Sequence, residues 1–135
     1  MTRGNVHHID ITVRDAHASR AFYESVLGFM GYALGDSHPK GYDFDLAGPP
    51  FCSIGIRSAS GADAGRAHDR YSPGLHHLAW TAASRADVDA MYAHLRDIGA
   101  VILDAPAEYP KYGPEYYAVF FADPDGLKLE FVYKP

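Results

Sequence analysis

Three side chains far apart in the sequence have types that suit the same chemistry. His8 follows His7 near the start of the chain, His77 follows His76 in the middle, and Glu130 stands five residues from the last position. Imidazole nitrogen and carboxylate oxygen are donors that Fe(II), Mn(II), Ni(II), Co(II) and Zn(II) accept. If the segments carrying them line one concave surface, His8, His77 and Glu130 form a facial set of ligands with open positions for water or substrate. A register shift of one residue would present His7 and His76 instead. The competing account is that these are solvated strand-end residues, since eight histidines in 135 residues give chance many openings.

The elements that must position them repeat. Val6-His7-His8-Ile9-Asp10-Ile11-Thr12 recurs 69 residues on as Leu75-His76-His77-Leu78-Ala79-Trp80-Thr81, and Tyr23 falls on Tyr92 at the same offset. An offset near half the chain indicates an internal duplication. Residues 6–13 alternate, with Ile9, Ile11 and Val13 on one face and His8, Asp10 and Thr12 on the other, which predicts a strand. His7 and His76, one residue out of phase, are expected on the opposite face from the proposed ligands. Asp15 is suited to cap a helix over 16–27 that buries Ala18, Phe22 and Val26, with Gly28 ending it. Residues 29–34, 42–46 and 51–57 read as three short strands separated by Gly35-Asp36 and Gly48-Pro49-Pro50.

Residues 59–73, rich in Ala, Gly, Ser and charge, read as a linker. The second module then repeats the order. A strand covers 75–81, Ser84 caps a helix, and Val88, Met91, Tyr92, Leu95 and Ile98 mark its apolar stripe before Gly99. Strands are expected over 101–103, 116–121 and 127–133, with a loop at 104–115 whose prolines and tyrosines suit a rim or lid. The chain is thus read as one domain of two modules, about 5–58 and 74–134. The stretch 47–56 lies over 122–131 without a gap, so Gly55 corresponds to Glu130. In the last strand Leu127, Leu129 and Phe131 share one face and Lys128 and Glu130 the other, the sidedness of His8 and His77.

Composition excludes several classes. The 47% hydrophobic and 21% charged content is that of an ordinary globular domain. A formal charge of −5 gives no basic footprint for nucleic acid or an anionic membrane. No apolar run approaches the roughly 20 residues that span a bilayer, and residues 1–5 lack the apolar stretch of a signal peptide. The single cysteine, Cys52, forms no intrachain disulfide and fits a reducing compartment. A cytoplasmic protein is expected.

Four stretches carry a family resemblance. They are His8-Ile9-Asp10-Ile11-Thr12-Val13-Arg14-Asp15, Phe22-Tyr23-Glu24-Ser25-Val26-Leu27-Gly28-Phe29, His77-Leu78-Ala79-Trp80 and the stretch from Phe121-Ala122-Asp123-Pro124-Asp125-Gly126 to Leu127-Lys128-Leu129-Glu130. In them the chain resembles the vicinal oxygen chelate superfamily, which contains glyoxalase I, extradiol dioxygenases, fosfomycin-resistance thiol transferases and bleomycin-binding proteins. The resemblance implies an α+β fold of two paired βαβββ modules forming a curved mixed sheet. It implies one divalent metal held by His8, His77 and Glu130, a small-molecule substrate and a homodimer. Glyoxalase I generally adds a fourth ligand where this chain has Gly55, which leaves Glu130 as the only base among the ligands. Asp10, beside His8, is the candidate for a second base or for orienting an imidazole. Extradiol dioxygenases want a Tyr where Phe120 stands, and fosfomycin transferases a Thr where Asp10 stands.

Tyr109, Tyr112, Tyr116 and Tyr117, with Trp80 and Phe120, offer aromatic walls, and Tyr112, Tyr117, Phe120 and Arg57 are the expected pocket residues. Cys52 reads as an apolar filler rather than a nucleophile. The favoured expectation is a metal-dependent enzyme of glyoxalase type, acting on an oxygen-bearing molecule through a stabilised enolate or oxyanion. The alternatives are a metal-free protein that sequesters a small compound in the aromatic cavity and, less favoured, an extradiol dioxygenase.

Overall fold

A computed structural model describes residues 3–135; Met1 and Thr2, where the expected absence of a leader begins, lie outside the described residues. The chain divides into two compact units, Met1–Arg66 and Ala67–Pro135. The first runs β1 (His8–Val13), α1 (Ala16–Phe29), β2 (Ala33–His38), β3 (Gly41–Leu46) and β4 (Cys52–Ser58). The second repeats it with β5 (Leu78–Thr81), α2 (Arg85–Asp97), β6 (Val101–Glu108), a 3₁₀ turn at Pro110–Tyr112, β7 (Tyr117–Ala122) and β8 (Lys128–Tyr133). Each unit forms a four-stranded mixed sheet, ordered β1-β4-β3-β2 in one and β5-β8-β7-β6 in the other. This is the α+β architecture that the duplicated pattern implied. No helix among the described residues is long and apolar enough to cross a membrane.

Both helices start where a short polar side chain can satisfy their first backbone donors. Asp15 accepts from the N–H groups of His17 and Ala18 at 3.0 and 3.3 Å. Ser84 accepts from Asp87 N–H at 3.1 Å, and the Asp87 carboxylate reaches back to Ala83 N–H at 2.8 Å, a reciprocal cap. Such caps stabilise a helix by about 1 kcal/mol each. α2 buries Val88, Met91 and Leu95 completely, as its 3.6-residue period requires, whereas Tyr92 is half-buried and Ile98, past the last turn, is exposed.

α1 departs from expectation in two respects. Its buried stripe is Ala16, Ser19, Tyr23, Val26 and Leu27, whereas Ala18 is exposed and Phe22 half-buried. The stripe is turned by one residue because the polar atoms at its centre are paired. The Tyr42 hydroxyl donates to the Ala16 carbonyl at 2.8 Å and lies 3.1 Å from Ser19 Oγ. The helix also runs through Gly28 to Phe29, and the left-handed residue that ends it is Gly31, φ 98°.

One strand is much longer than its sequence indicates. β6 continues to Glu108 past Pro106, and the expected loop shrinks to the turn around Pro110. Pro106 is tolerated because β6 is the edge of its sheet and its pairing to β7 is interrupted between Asp104 and Ala107.

Candidate functional site

In the second unit the pleat of β8 sends Leu129 and Phe131 into the core and Lys128 and Glu130 to the opposite face. Glu130 pairs with Ala79 on parallel β5 and with Phe120 on antiparallel β7. It is central in the sheet and only 2% exposed. Ionised carboxylates are stable at such depth only when paired and hydrogen-bonded. Oε1 lies 3.2 Å from Nε2 of His77, and Oε2 accepts a hydrogen bond from the Tyr116 hydroxyl. Burial first, then the bond to Glu130, hold the Tyr116 phenol well above its ordinary value of 10, so it remains a neutral donor.

These groups open on a cleft of about 290 Å³ lined by His76, His77, Tyr112, Tyr116, Phe120 and Glu130, with Lys128 beside them. Lys128 Nζ stands 4.5 Å above the Phe120 ring. Tyr109 stacks on Tyr112 at 5.9 Å and meets Phe120 edge-on at 5.4 Å. Tyr116 precedes β7 and is aimed by a turn in which Glu115 adopts φ 60°, a left-handed conformation costing a non-glycine residue about 1–2 kcal/mol. Strain of that kind persists where surrounding contacts over-determine the backbone.

Tyr117, expected in this pocket, faces the other way. One residue beyond Tyr116, it donates to Asp89 of α2 at 2.6 Å and carries Arg85 over its ring at 4.0 Å. The bond to Asp89, then burial, raise its phenol above the ordinary range. Alternation along β7 explains the reversal, because Phe120 shares the Glu130 face and Tyr117 has the opposite parity.

The histidine doublets also depart from the alternation read in the sequence. β5 begins at Leu78 and β1 at His8, so His7, His76 and His77 precede the regular pleat. The two rings of each doublet meet instead of pointing apart. Nδ1 of His76 is 2.8 Å from Nδ1 of His77, and Nδ1 of His7 is 3.0 Å from Nδ1 of His8. One nitrogen of each contact must carry the proton. In His77 this leaves Nε2 as the atom turned to Glu130. Burial, then the charge of His77, lower the His76 pKa and favour its neutral form.

In the first unit His8 and Asp10 share the exposed face of β1. They line a cleft of about 330 Å³ with Asp43, Asp45, Ser53 and Arg57. Gly55 sits between Asp10 on β1 and Asp43 on β3. A Cβ at position 55 would fall 2.1 Å from Asp10 Oδ1 and 2.8 Å from Asp43 Oδ1. The volume that a side chain would enter is therefore filled by two carboxylates. Arg57 Nη2 bridges them, 2.8 Å from Asp43 and 3.7 Å from Asp10. Arg57 thus serves this acidic face.

The gap-free match of the two hairpins holds along β4 and β8 but not along their partners. Asp45 pairs with Ser53, leaving seven residues between them, whereas Ala122 pairs with Lys128, leaving five. The two extra residues place Asp43 opposite Gly55, where the second unit has Phe120 opposite Glu130.

The donors that converge in the second unit are one imidazole nitrogen and one carboxylate oxygen, a set that suits borderline divalent ions. Among the described residues no group of three or more His, Cys, Asp and Glu side chains is placed to hold a metal ion. Neither His76 as a ring partner nor Tyr116 as a donor to Glu130 follows from the sequence, which offers Tyr116 only as one of several aromatic walls. Periodicity carries no signal for residues just outside a strand.

A sequence profile of the Glyoxalase/Bleomycin resistance protein/Dioxygenase superfamily matches residues 5–131. The Bacillus subtilis protein YqjT is 32% identical over 127 residues, covering 94% of this chain and 97% of its own. Metallothiol transferase FosB of Lysinibacillus sphaericus is 31% identical over 131 residues, covering 97% and 83%. Among solved structures, a glyoxalase-like protein of Bacillus halodurans superimposes with a TM-score of 0.82 at 31% identity, over 98% of this chain and 97% of that one. With its duplicated βαβββ units and its profile match over nearly the whole length, the chain belongs to the glyoxalase/bleomycin resistance protein/dioxygenase superfamily.

Proposed function

We propose that the chain is a divalent-metal-dependent enzyme of glyoxalase type, with His8, His77 and Glu130 as ligands and a small oxygen-bearing substrate. The observation that supports it is the buried Glu130 carboxylate, turned to His77 Nε2 at the floor of an aromatic cleft. A carboxylate retained at 2% exposure beside an imidazole is costly for a protein that has no use for it. FosB, at 31% identity, is a metallothiol transferase by name, which favours the metal-dependent members of the family. A bound divalent ion supplies Lewis-acid stabilisation of negative charge on a substrate oxygen.

The chain's own residues do the rest. His77 offers Nε2 while its Nδ1 is held by His76. Glu130, the proposed ligand and base, stays anchored through Oε2, which leaves Oε1 turned to His77. Tyr112 and Phe120 wall the cleft against water, and Lys128 brings a positive charge to its edge for an anionic substrate group. Asp10 serves as a second base on the His8 face, where Arg57 holds it with Asp43. The lone cysteine fits a cytoplasmic setting.

The experiment is metal analysis of protein purified without chelator. About one equivalent should be present and should be lost in His77→Ala and in Glu130→Ala. A wild-type protein that takes up no Zn(II), Ni(II), Mn(II), Co(II) or Fe(II) would instead favour the second reading, a metal-free binder. The observation on that side is the ring cluster of Tyr109, Tyr112, Tyr116 and Phe120.

A further inference from the structure

We propose that Tyr116 is a positioning residue for the metal ligand Glu130: its hydroxyl occupies Oε2 and leaves Oε1, beside His77 Nε2, as the single oxygen presented to the cation. The inference rests on the metal-dependent reading above and adds to it a group outside the ligand set.

The geometry divides the carboxylate between two partners. Oε2 accepts from the phenol and Oε1 faces the imidazole. A carboxylate held at one oxygen is steered away from bidentate coordination and fixed in orientation before the ion arrives, which is how groups behind a metal ligand tune affinity. The strand neighbour cannot supply this donor, because the residue paired with Glu130 is Phe120. The hydroxyl comes instead from four residues earlier, and much of the local structure serves to deliver it. Glu115 is turned left-handed just before it, φ 60°. Tyr116 N–H donates to the Gly113 carbonyl at 3.3 Å and its own carbonyl accepts from Tyr109 N–H at 2.9 Å. Its ring meets Tyr112 at 5.4 Å and Tyr109 at 6.4 Å. A phenol required only to satisfy a buried acid would do so as well without a cleft in front of it; here both Tyr116 and Glu130 line that cleft.

The test titrates metal-free wild type, Tyr116→Phe and Tyr112→Phe with Zn(II) against a chromophoric chelator, and records the visible spectrum of the Co(II)-loaded proteins. Tyr116→Phe keeps the ring in its cluster and removes only the donor. It should bind Zn(II) about 10–100-fold more weakly and alter the Co(II) bands. Tyr112→Phe should match wild type in both. Equal Zn(II) affinity and identical Co(II) spectra in wild type and Tyr116→Phe would overturn the role of Tyr116 and leave the metal reading standing. An equal loss in Tyr112→Phe would overturn it too, because the effect would then belong to the aromatic cluster at large. Wild type that binds neither ion would remove both proposals together. Should Tyr116→Phe fail to fold, Tyr116→Gln and Tyr116→Leu are compared; the variant with an amide N–H donor must bind Zn(II) the more tightly, and equal affinities would overturn the inference.

Discussion

At the residue scale the two units put opposite solutions at the same place in their sheets. Position 130 carries a buried carboxylate, and position 55 carries no side chain, with the carboxylates of Asp10 and Asp43 leaning over it from the neighbouring strands. The correspondence of Gly55 with Glu130 was legible in the sequence, because it follows from one offset along a single strand. What fills the space was not, because the two extra hairpin residues that bring Asp43 into line only show in the pairing register. Gly55→Ala separates a structural from a mobile arrangement. Its Cβ would lie 2.1 Å from Asp10 Oδ1, the far end of a half-exposed side chain that can rotate away. Alanine is also better suited to a strand interior than glycine by about 0.5–1 kcal/mol. An exposed ion pair such as Arg57–Asp10 is worth less than about 1 kcal/mol. Urea unfolding should therefore show a change within about 1 kcal/mol of wild type. A loss beyond about 2 kcal/mol would mean that the carboxylates cannot move and that the triad holds the sheet together.

At the element scale, what periodicity and capping govern was readable, and what tertiary contacts govern was not. The stripe of Val88, Met91 and Leu95 and the caps at Asp15 and Ser84 are local facts, and each sits where its spacing places it. The stripe of α1 lies one residue from where spacing alone puts it, because the long-range bond from Tyr42 to Ala16 decides which face turns inward. The same difference explains the histidine doublets, because strand alternation does not extend to residues that precede the strand. α2 gives the quantitative test of its own reading. Leu95 is fully buried in the last turns of the helix, and truncating such a side chain removes transfer energy and leaves a cavity. Leu95→Ala should cost about 2–5 kcal/mol by chemical denaturation. A cost under about 1 kcal/mol would show that α2 is not packed on the sheet of its unit as described.

At the scale of the whole molecule, the duplication was the most legible feature, since each half repeats strand, helix and three strands. The residues proposed as ligands come from both units, His8 from the first and His77 with Glu130 from the second. The proposed centre can then be completed within one chain or, in the homodimer that the resemblance implies, by exchange between two. Mixing two defective variants distinguishes these. His8→Ala and Glu130→Ala are each expected to lose the metal when pure. If every centre is built from one chain, unfolding and refolding them together leaves every centre broken. If the units are exchanged, a mixed dimer combines the intact first unit of the Glu130→Ala chain with the intact second unit of the His8→Ala chain. One of its two centres is then whole and the other doubly broken. Half the dimers are mixed by chance, so about a quarter of the centres should bind metal. Exchange is therefore expected to return about 0.25 equivalents of Zn(II) to the refolded mixture, and none to either variant refolded alone. A mixture as empty as its components would assign each centre to a single chain, provided that tagged subunits show that mixed dimers have formed.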